Sequence, residues 1–244
     1  MRPDIDLRGA LDTRAALVLL PLSVLALAAF AALGGLIQPS VMEGGTSSLD
    51  LTLAIMSLPL ALIIPVLAVP IIAGEWSDSS IQNTFLQRPR RGAVLASKAI
   101  AASVVVLAVL AIALGLAAAA TWAGGELLGE GATFFAEGSS LTAQLLALLG
   151  TLLFSLAAAM LLQSTVLGLV AAIGVPFVVS TASSLAAVFG SETLVDVLRS
   201  VDLQSAAIAL ADGTAGAFEL LPLLLLVLLP GLLGARRWSV REVG

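Results

Sequence analysis

Long apolar stretches without a charge in their interiors dominate this sequence and limit what the chain can fold into. They cover residues 15–37, 51–73, 99–122, 141–162, 166–188 and 218–234. At about 1.5 Å per residue, the longer stretches cross a hydrocarbon layer of about 30 Å as helices. With 59% hydrophobic and 11% charged residues, a water-soluble fold would leave large apolar patches exposed. The sequence therefore predicts an all-α integral membrane protein, with six transmembrane helices in a single domain over residues 1–244.

Basic residues are concentrated in alternate polar segments between these apolar stretches. If both termini lie in the cytoplasm, the inner segments carry ten of the eleven basic residues, and the outer segments carry Arg199 alone. The acidic residues assigned outside, which include Glu43 and Glu137, outnumber those assigned inside. Cytoplasmic segments of membrane proteins are enriched in Lys and Arg. The charge pattern therefore predicts cytoplasmic N- and C-termini and a cytoplasmic segment 74–98.

Residues 74–98 form the longest polar interruption and read GEWSDSSIQNTFLQRPRRGAVLASK. The basic residues of this segment are Arg88, Arg90, Arg91 and Lys98. Ser79 and Gln82 match a capping box, in which two side chains satisfy the first backbone N–H groups of a helix. Pro89 lacks a backbone N–H and ends the helix that begins near Ser79. The segment therefore predicts a short cytoplasmic helix of about two to three turns.

Apolar side chains are expected near one face of this short helix, namely those of Ile81, Phe85 and Leu86. A compact helix held close to the membrane between two spans suits two roles. It can act as a lever against a soluble partner, or the basic residues beside it can anchor the loop on anionic lipid headgroups. The residues alone leave both roles open.

Two further segments depart from a plain transmembrane helix. The second span contains Pro59, Pro65 and Pro70, each of which removes a backbone donor, so this helix is expected to be kinked or locally broken. Neighbouring helices tolerate such prolines in membranes, whereas a gating helix would use them. Residues 189–217, with Ser191 suited to cap a helix start, are expected to lie in the interface or to dip into the membrane and return.

Several kinds of chemistry lack their residues in this sequence. The chain has no Cys and no His, which removes the thiolate nucleophile and the commonest metal ligand and general base. No Asp, Glu, Lys or Arg lies deep within a span, whereas ion-driven carriers commonly place an ionisable group near mid-membrane. These observations count against an intramembrane enzyme and against an ion-driven carrier.

One set of residues in segment 74–98 follows a recognisable order: Gly74-Glu75, Ser79-Ser80-Ile81, Leu86, Pro89-x-Arg91 and Lys98. This order resembles the cytoplasmic signature of the type-2 family of ATP-binding-cassette (ABC) transporter permeases. The Glu75-Trp76 pair looks like that of actinobacterial members. Ser79 stands where the family commonly has Gly, and Ser80 stands where it commonly has Thr. Six spans in the family's order extend the resemblance over the whole chain.

The resemblance implies the permease subunit of an exporter that moves a hydrophobic or amphipathic substrate out across the bacterial plasma membrane. Two such subunits, identical or different, would sit on two separate cytoplasmic ABC ATPases, which bind ATP and Mg²⁺. This chain would then be no enzyme, would hold no cofactor, and would contact membrane lipid but no nucleic acid. It also lacks the GxxxxGK[ST] pattern of an ATP-binding loop.

The resemblance also implies roles for individual residues. Residues 74–91 would form a coupling helix that docks on the ATPase, with Ile81, Phe85 and Leu86 as its apolar contacts. Glu75 would bond within a cytoplasmic gate, and residues 189–217 would form an outer re-entrant element. Two alternatives remain open: a carrier that works without an ATPase, and a non-transporting sensor or immunity subunit that uses the same fold.

Overall fold

Six helices in the computed structural model are long and apolar enough to cross a membrane. The structure describes residues 2–42, 44–135, 140–189 and 192–240, and the six helices are counted within these ranges. They cover Arg14–Val41, Leu49–Ser77, Arg91–Leu128, Leu141–Leu162, Thr165–Ala186 and Leu223–Val240. The prediction of a helical chain with six such helices is confirmed. Four residues that entered the sequence analysis lie outside the described ranges, namely Glu43, Glu137, Ser191 and Arg241.

Helices account for most of the described chain. In chain order they are α1 (Pro3–Leu11), α2 (Arg14–Leu36), α3 (Gln38–Val41), α4 (Leu49–Ser77), α5 (Ile81–Gln87), α6 (Arg91–Ala123), α7 (Leu141–Leu162), α8 (Thr165–Val188), α9 (Glu192–Arg199), α10 (Leu203–Ala211) and α11 (Leu229–Val240). The π-helical segments Gly124–Leu128 and Leu223–Leu228 continue α6 and precede α11. Two short strands, β1 (Thr46–Ser48) and β2 (Gly131–Thr133), pair in parallel.

Helix α4 is the centre of the bundle. It packs against α2, α6, α7 and α8, and its side chains at Met56, Leu60 and Ile64 are almost wholly buried. Lipid tails are as apolar as these side chains, so close packing, rather than removal of apolar surface from water, stabilises the bundle within a membrane.

The three prolines of the second span do not interrupt α4. The helix is continuous over 29 residues with Pro59, Pro65 and Pro70 inside it, so it is not locally broken, and a kink at these prolines stays a prediction. Pro59 and Pro65 are buried among the surrounding helices. Packing on several sides holds the helical path where a proline has removed a hydrogen bond.

Several helix boundaries differ from those predicted. Helix α4 continues to Ser77 and α6 begins at Arg91, so only residues 78–90 lie between them. The sixth apolar helix covers 223–240 rather than 218–234. The Glu219 carboxylate accepts a hydrogen bond from the backbone N–H of Gly216 in a turn that precedes this helix. The helices extend into polar sequence because a helix hydrogen-bonds its own backbone N–H and C=O groups, whatever side chains it carries.

One end of the bundle, here called the basic end, brings together segments distant in the sequence. Arg88 in the α5–α6 connection bonds Asp6 of α1, and Arg91 donates to the Ser239 carbonyl of α11. Arg237 donates to the Leu161 carbonyl at the end of α7, at 2.8 Å. This last bond satisfies a carbonyl that has no partner within its own helix.

A buried polar network holds the opposite end. The Gln38 side chain donates to the Thr52 hydroxyl at 2.9 Å and accepts from the Ser48 backbone N–H at 2.7 Å. The Thr52 hydroxyl in turn lies 2.9 Å from that of Thr121. These bonds join the start of α3, the start of α4 and the end of α6, where a buried polar group without a partner would be costly.

Residues 189–217 contain two short helices, α9 and α10. Helix α10 packs against α7, where Leu203 shares a small apolar cluster with Phe154 and Ala158. Phe154 lies in the middle of α7, so α10 contacts that helix well away from its ends. Helix α9 leaves Leu194 and Val197 exposed. The depth of this segment in a membrane remains a prediction.

Close helix contact at Gly35 generates a stability prediction. A Cβ atom at Gly35 would lie 2.4 Å from the Ala120 carbonyl carbon, whereas one at Gly115 would meet nothing within 4 Å. Gly35→Ala should therefore push α2 away from α6 and lower the free energy of unfolding by about 1–3 kcal/mol. The matched variant Gly115→Ala should be neutral or slightly stabilising. Thermal unfolding of both variants in mild detergent tests this, and equal melting temperatures would contradict it.

Candidate functional site

The Glu75 carboxylate joins three helices at the basic end. Its Oε1 accepts a hydrogen bond from Lys98 Nζ of α6 at 2.7 Å, and its Oε2 accepts one from Thr84 Oγ1 of α5 at 2.8 Å. The Lys98 side chain is only 6% exposed, and that of Glu75 is 31% exposed. One side chain of α4 therefore fixes both α5 and the base of α6. Glu75 and Lys98, which the sequence selected separately, form one ion pair.

A second ion pair fixes the end of the α5–α6 connection. Arg88 donates to both carboxylate oxygens of Asp6 at 3.0 Å, and its other terminal nitrogen donates to Ser97 Oγ at 3.2 Å. The Ser97 hydroxyl also donates to Asp6. Sequence reasoning missed Asp6 and Ser97. No local pattern marks Asp6, because its partner Arg88 is 82 residues away.

Three aromatic side chains form a cluster between α4, α5 and α11. The ring centroids of Trp76 and Phe85 are 6.1 Å apart, those of Trp76 and Trp238 are 5.3 Å apart, and each pair meets edge to face. Trp238 is completely buried. The Arg91 guanidinium lies 4.8 Å from the centre of the Phe85 ring, in a cation–π contact. Sequence reasoning selected Trp76, Phe85 and Arg91 but not Trp238.

The start of α5 differs from the predicted capping box. Ser80 precedes the helix and makes no side-chain capping bond, and Ser79 adopts a positive φ of 56°. The chain leaves α4 after Ser77 and re-enters a helix at Ile81, so it must reverse direction within three residues. A left-handed residue makes this reversal possible, which removes Ser79 from the capping position.

The three apolar residues of α5 do not share an exposed face. Ile81 is 1% exposed and Phe85 is half-buried in the aromatic cluster, whereas Leu86 is 83% exposed. The expectation that Ile81 faces a partner is therefore wrong, because its own chain covers it. Contact of the half-buried Phe85 with a partner stays a prediction. The exposed residues along α5 and its N-terminal turn form what is here called the α5 outer face, which consists of Asp78, Ser79, Gln82, Asn83, Leu86 and Gln87.

The remaining predicted residues occupy supporting positions. Gly74 lies in the last turns of α4, with nothing within 4 Å of where a side chain would begin. Pro89 is exposed and lies two residues after Gln87, where α5 ends. Pro59 and Pro65 are in the body of α4, whereas Pro70 precedes Ile71, whose carbonyl accepts a hydrogen bond from Lys98 Nζ at 3.4 Å. Within the described ranges, no group of three or more Asp or Glu residues is placed to hold a metal ion.

The junction between α7 and α8 also lies at the basic end. Ser77, the last residue of α4, accepts a hydrogen bond from the Thr165 backbone N–H at 2.8 Å and donates to the Thr165 hydroxyl at 3.0 Å. The end of α4 thus caps the first turn of α8. Together with Glu75 and Trp76, Ser77 makes the last turn of α4 the common attachment point for α5, α6, α8 and α11.

Comparisons of the chain with known protein families, with curated proteins and with solved structures find no match.

The unequal burial of the Glu75–Lys98 pair leads to an asymmetric prediction. Glu75→Gln keeps the hydrogen-bonding shape but leaves the buried Lys98 ammonium without a counter-charge, which should cost about 2–4 kcal/mol of unfolding free energy. Lys98→Met should cost less, about 1–2 kcal/mol, because Glu75 keeps its bond from Thr84 and reaches water.

The double variant Glu75→Gln/Lys98→Met is the control. It should unfold at a higher temperature than Glu75→Gln alone, because it removes the unpaired charge. Melting temperatures measured by thermal unfolding in mild detergent rank the stabilities of the variants. Strictly additive effects, or a larger loss for Lys98→Met than for Glu75→Gln, would contradict the pairing.

Proposed function

We propose that this chain is the permease subunit of an ABC exporter, driven by ATP hydrolysis on separate ATPase subunits. The observation that carries the proposal is the geometry of α5. This short helix is fixed on one side by the Glu75–Thr84 bond and the Phe85 ring, and it is open to solvent on the other side at Leu86.

A helix that transmits force needs these two properties together. If α5 were free on both sides, a partner would move it without moving the bundle. The last turn of α4 connects α5 to the centre of the bundle through Glu75 and Trp76. A push on the α5 outer face would therefore act directly on α4, which contacts four other long helices.

Ser79 supports the resemblance on which the proposal draws. The type-2 permeases commonly have Gly where this chain has Ser79. The residue has a φ of 56° here, in the left-handed region that Gly adopts without steric cost. The position therefore has the backbone conformation for which a glycine would be favoured.

The composition of the α5 outer face favours a protein partner over lipid headgroups. None of its residues is basic, and one of them is an acid, Asp78. Of the nearby arginines, Arg88 pairs with Asp6 and Arg91 contacts Phe85 and Ser239, while Arg90 is exposed beyond Pro89 and is not part of this face. An anionic membrane surface would attract a basic face, whereas a mixed polar face with one prominent leucine suits a protein interface.

The distribution of charged and buried residues also supports an orientation, a substrate class and an outer element for this permease. The basic end faces the cytoplasm of a bacterial cell, and the substrate is hydrophobic or amphipathic because the charged residues of the long helices lie near their ends and not at mid-membrane. Helix α10, which contacts the middle of α7 through Leu203, belongs to a re-entrant element on the outer side. A second permease subunit completes the transporter.

Leu86 provides the test of partner binding. Leu86→Asp places a charge at the centre of the α5 outer face without touching a buried residue. It should weaken ATPase binding at least about tenfold, as loss of an interface hot spot does. The matched control is Leu127→Asp, because Leu127 is 67% exposed in the π-helical segment at the opposite end.

The measurement is purification of each tagged full-length variant from native membranes in gentle detergent, followed by mass spectrometry of bound proteins. The wild type and Leu127→Asp should retain an ABC ATPase near equal stoichiometry, and Leu86→Asp should lose it. Absence of any ATPase from the wild type, under conditions that preserve other peripheral complexes, would reject the proposed function.

A further inference from the structure

A cavity of about 280 Å³ lies at the basic end, between the N-terminal segment and the base of α6. Its lining consists of Arg2, Arg88, Pro89, Arg90, Ala93 and Val94. Half of these residues are arginines, which come from two segments more than eighty residues apart in the chain. The cavity is smaller than the roughly 300–1,000 Å³ typical of drug-sized ligands, so it suits a group of headgroup size.

The cavity has an excess of positive charge. Asp6 pairs with Arg88, and within the described ranges no carboxylate lies within ion-pair distance of Arg2 or Arg90. Both of these side chains are exposed at the cavity mouth. Two guanidinium groups therefore remain available to an anion, and each presents a planar set of donors that matches phosphate oxygens.

The inner part of the cavity is rigid and partly apolar. Arg88 is held by Asp6 and Ser97, and Val94 is 1% exposed. Ala93 and Val94 belong to the first turn of α6, a helix of 33 residues whose N-terminal end adds partial positive charge. An anion in this position would meet fixed donors on one side and an apolar wall on the other.

We propose that this cavity binds a phosphate group, carried either by an anionic lipid headgroup or by a free phosphate. Bound there, the phosphate would bridge Arg2 with Arg90 and hold the N-terminal segment against the α5–α6 connection. The cavity is separate from the α5 outer face, so this inference does not depend on the proposed transport function.

The test uses the purified full-length chain in neutral detergent with three added probes: short-chain phosphatidylglycerol, short-chain phosphatidylcholine and inorganic phosphate. Binding is measured by native mass spectrometry and by the shift in melting temperature. The variant is Arg2→Gln/Arg90→Gln, which changes two exposed side chains. The matched control is Arg14→Gln/Arg236→Gln, since both arginines are exposed and neither lines the cavity.

Phosphatidylglycerol should bind the wild type and the Arg14→Gln/Arg236→Gln control equally and should bind the Arg2→Gln/Arg90→Gln variant at least about tenfold more weakly. Saturable binding of phosphatidylglycerol without inorganic phosphate identifies a lipid site, and binding of both probes identifies a general phosphate site. Equal losses in the two double variants would mean diffuse attraction to basic surface and would overturn the proposal. Wild-type binding of phosphatidylcholine as tight as that of phosphatidylglycerol, or no binding of any probe, would also overturn it.

Discussion

The ion pair between Glu75 and Lys98 is the interaction on which the basic end depends. Lys98 is nearly buried, and the cost of desolvating its ammonium group is offset by the carboxylate of Glu75, with a longer hydrogen bond of 3.4 Å to the Ile71 carbonyl. The same carboxylate accepts from Thr84, so the pair also sets the rotation of α5 about its axis. This rotation turns Ile81 inward and Leu86 outward. The Glu75–Lys98 pair thus helps to determine which residues of α5 are exposed at the basic end.

The two ends of the bundle are held by different means, and α4 connects them. At the basic end, charges, rings and helix-end bonds converge on its last turn, at Glu75, Trp76 and Ser77. At the opposite end, Thr52 in the first turns of α4 enters a buried network of neutral hydrogen bonds. Between the two ends, α4 contacts its neighbours through apolar packing alone in its fully buried positions, such as Met56 and Ile64. A displacement at one end therefore has a continuous helix through which to reach the other.

The sequence predicted the six long helices well, because composition alone decides which stretches can lie among lipid tails. It also placed a short helix before Pro89, and α5 ends at Gln87. It did not predict which side of α5 is buried. Ile81, Phe85 and Leu86 cover a wide arc on a helix of seven residues. The choice between inward and outward is made by contacts outside this helix, namely the Glu75–Thr84 bond and the Trp238 ring against Phe85. Asp6 was missed for the same reason, since its role exists only through Arg88. The capping box was wrong because chain reversal after α4, rather than local capping preference, decides the conformation of Ser79.

Cysteine labelling measures the orientation of α5 in the membrane-embedded protein. The native chain has no Cys, so Ile81→Cys and Leu86→Cys each introduce a single reactive site. In inside-out membrane vesicles stripped of peripheral proteins, a membrane-impermeant maleimide should label Leu86→Cys at least about tenfold faster than Ile81→Cys, because the buried site must first open locally. Intact cells should leave Leu86→Cys unlabelled. Equal labelling rates at the two positions would contradict the burial of Ile81 and the exposure of Leu86. Labelling of Leu86→Cys from outside the cell would contradict a cytoplasmic α5.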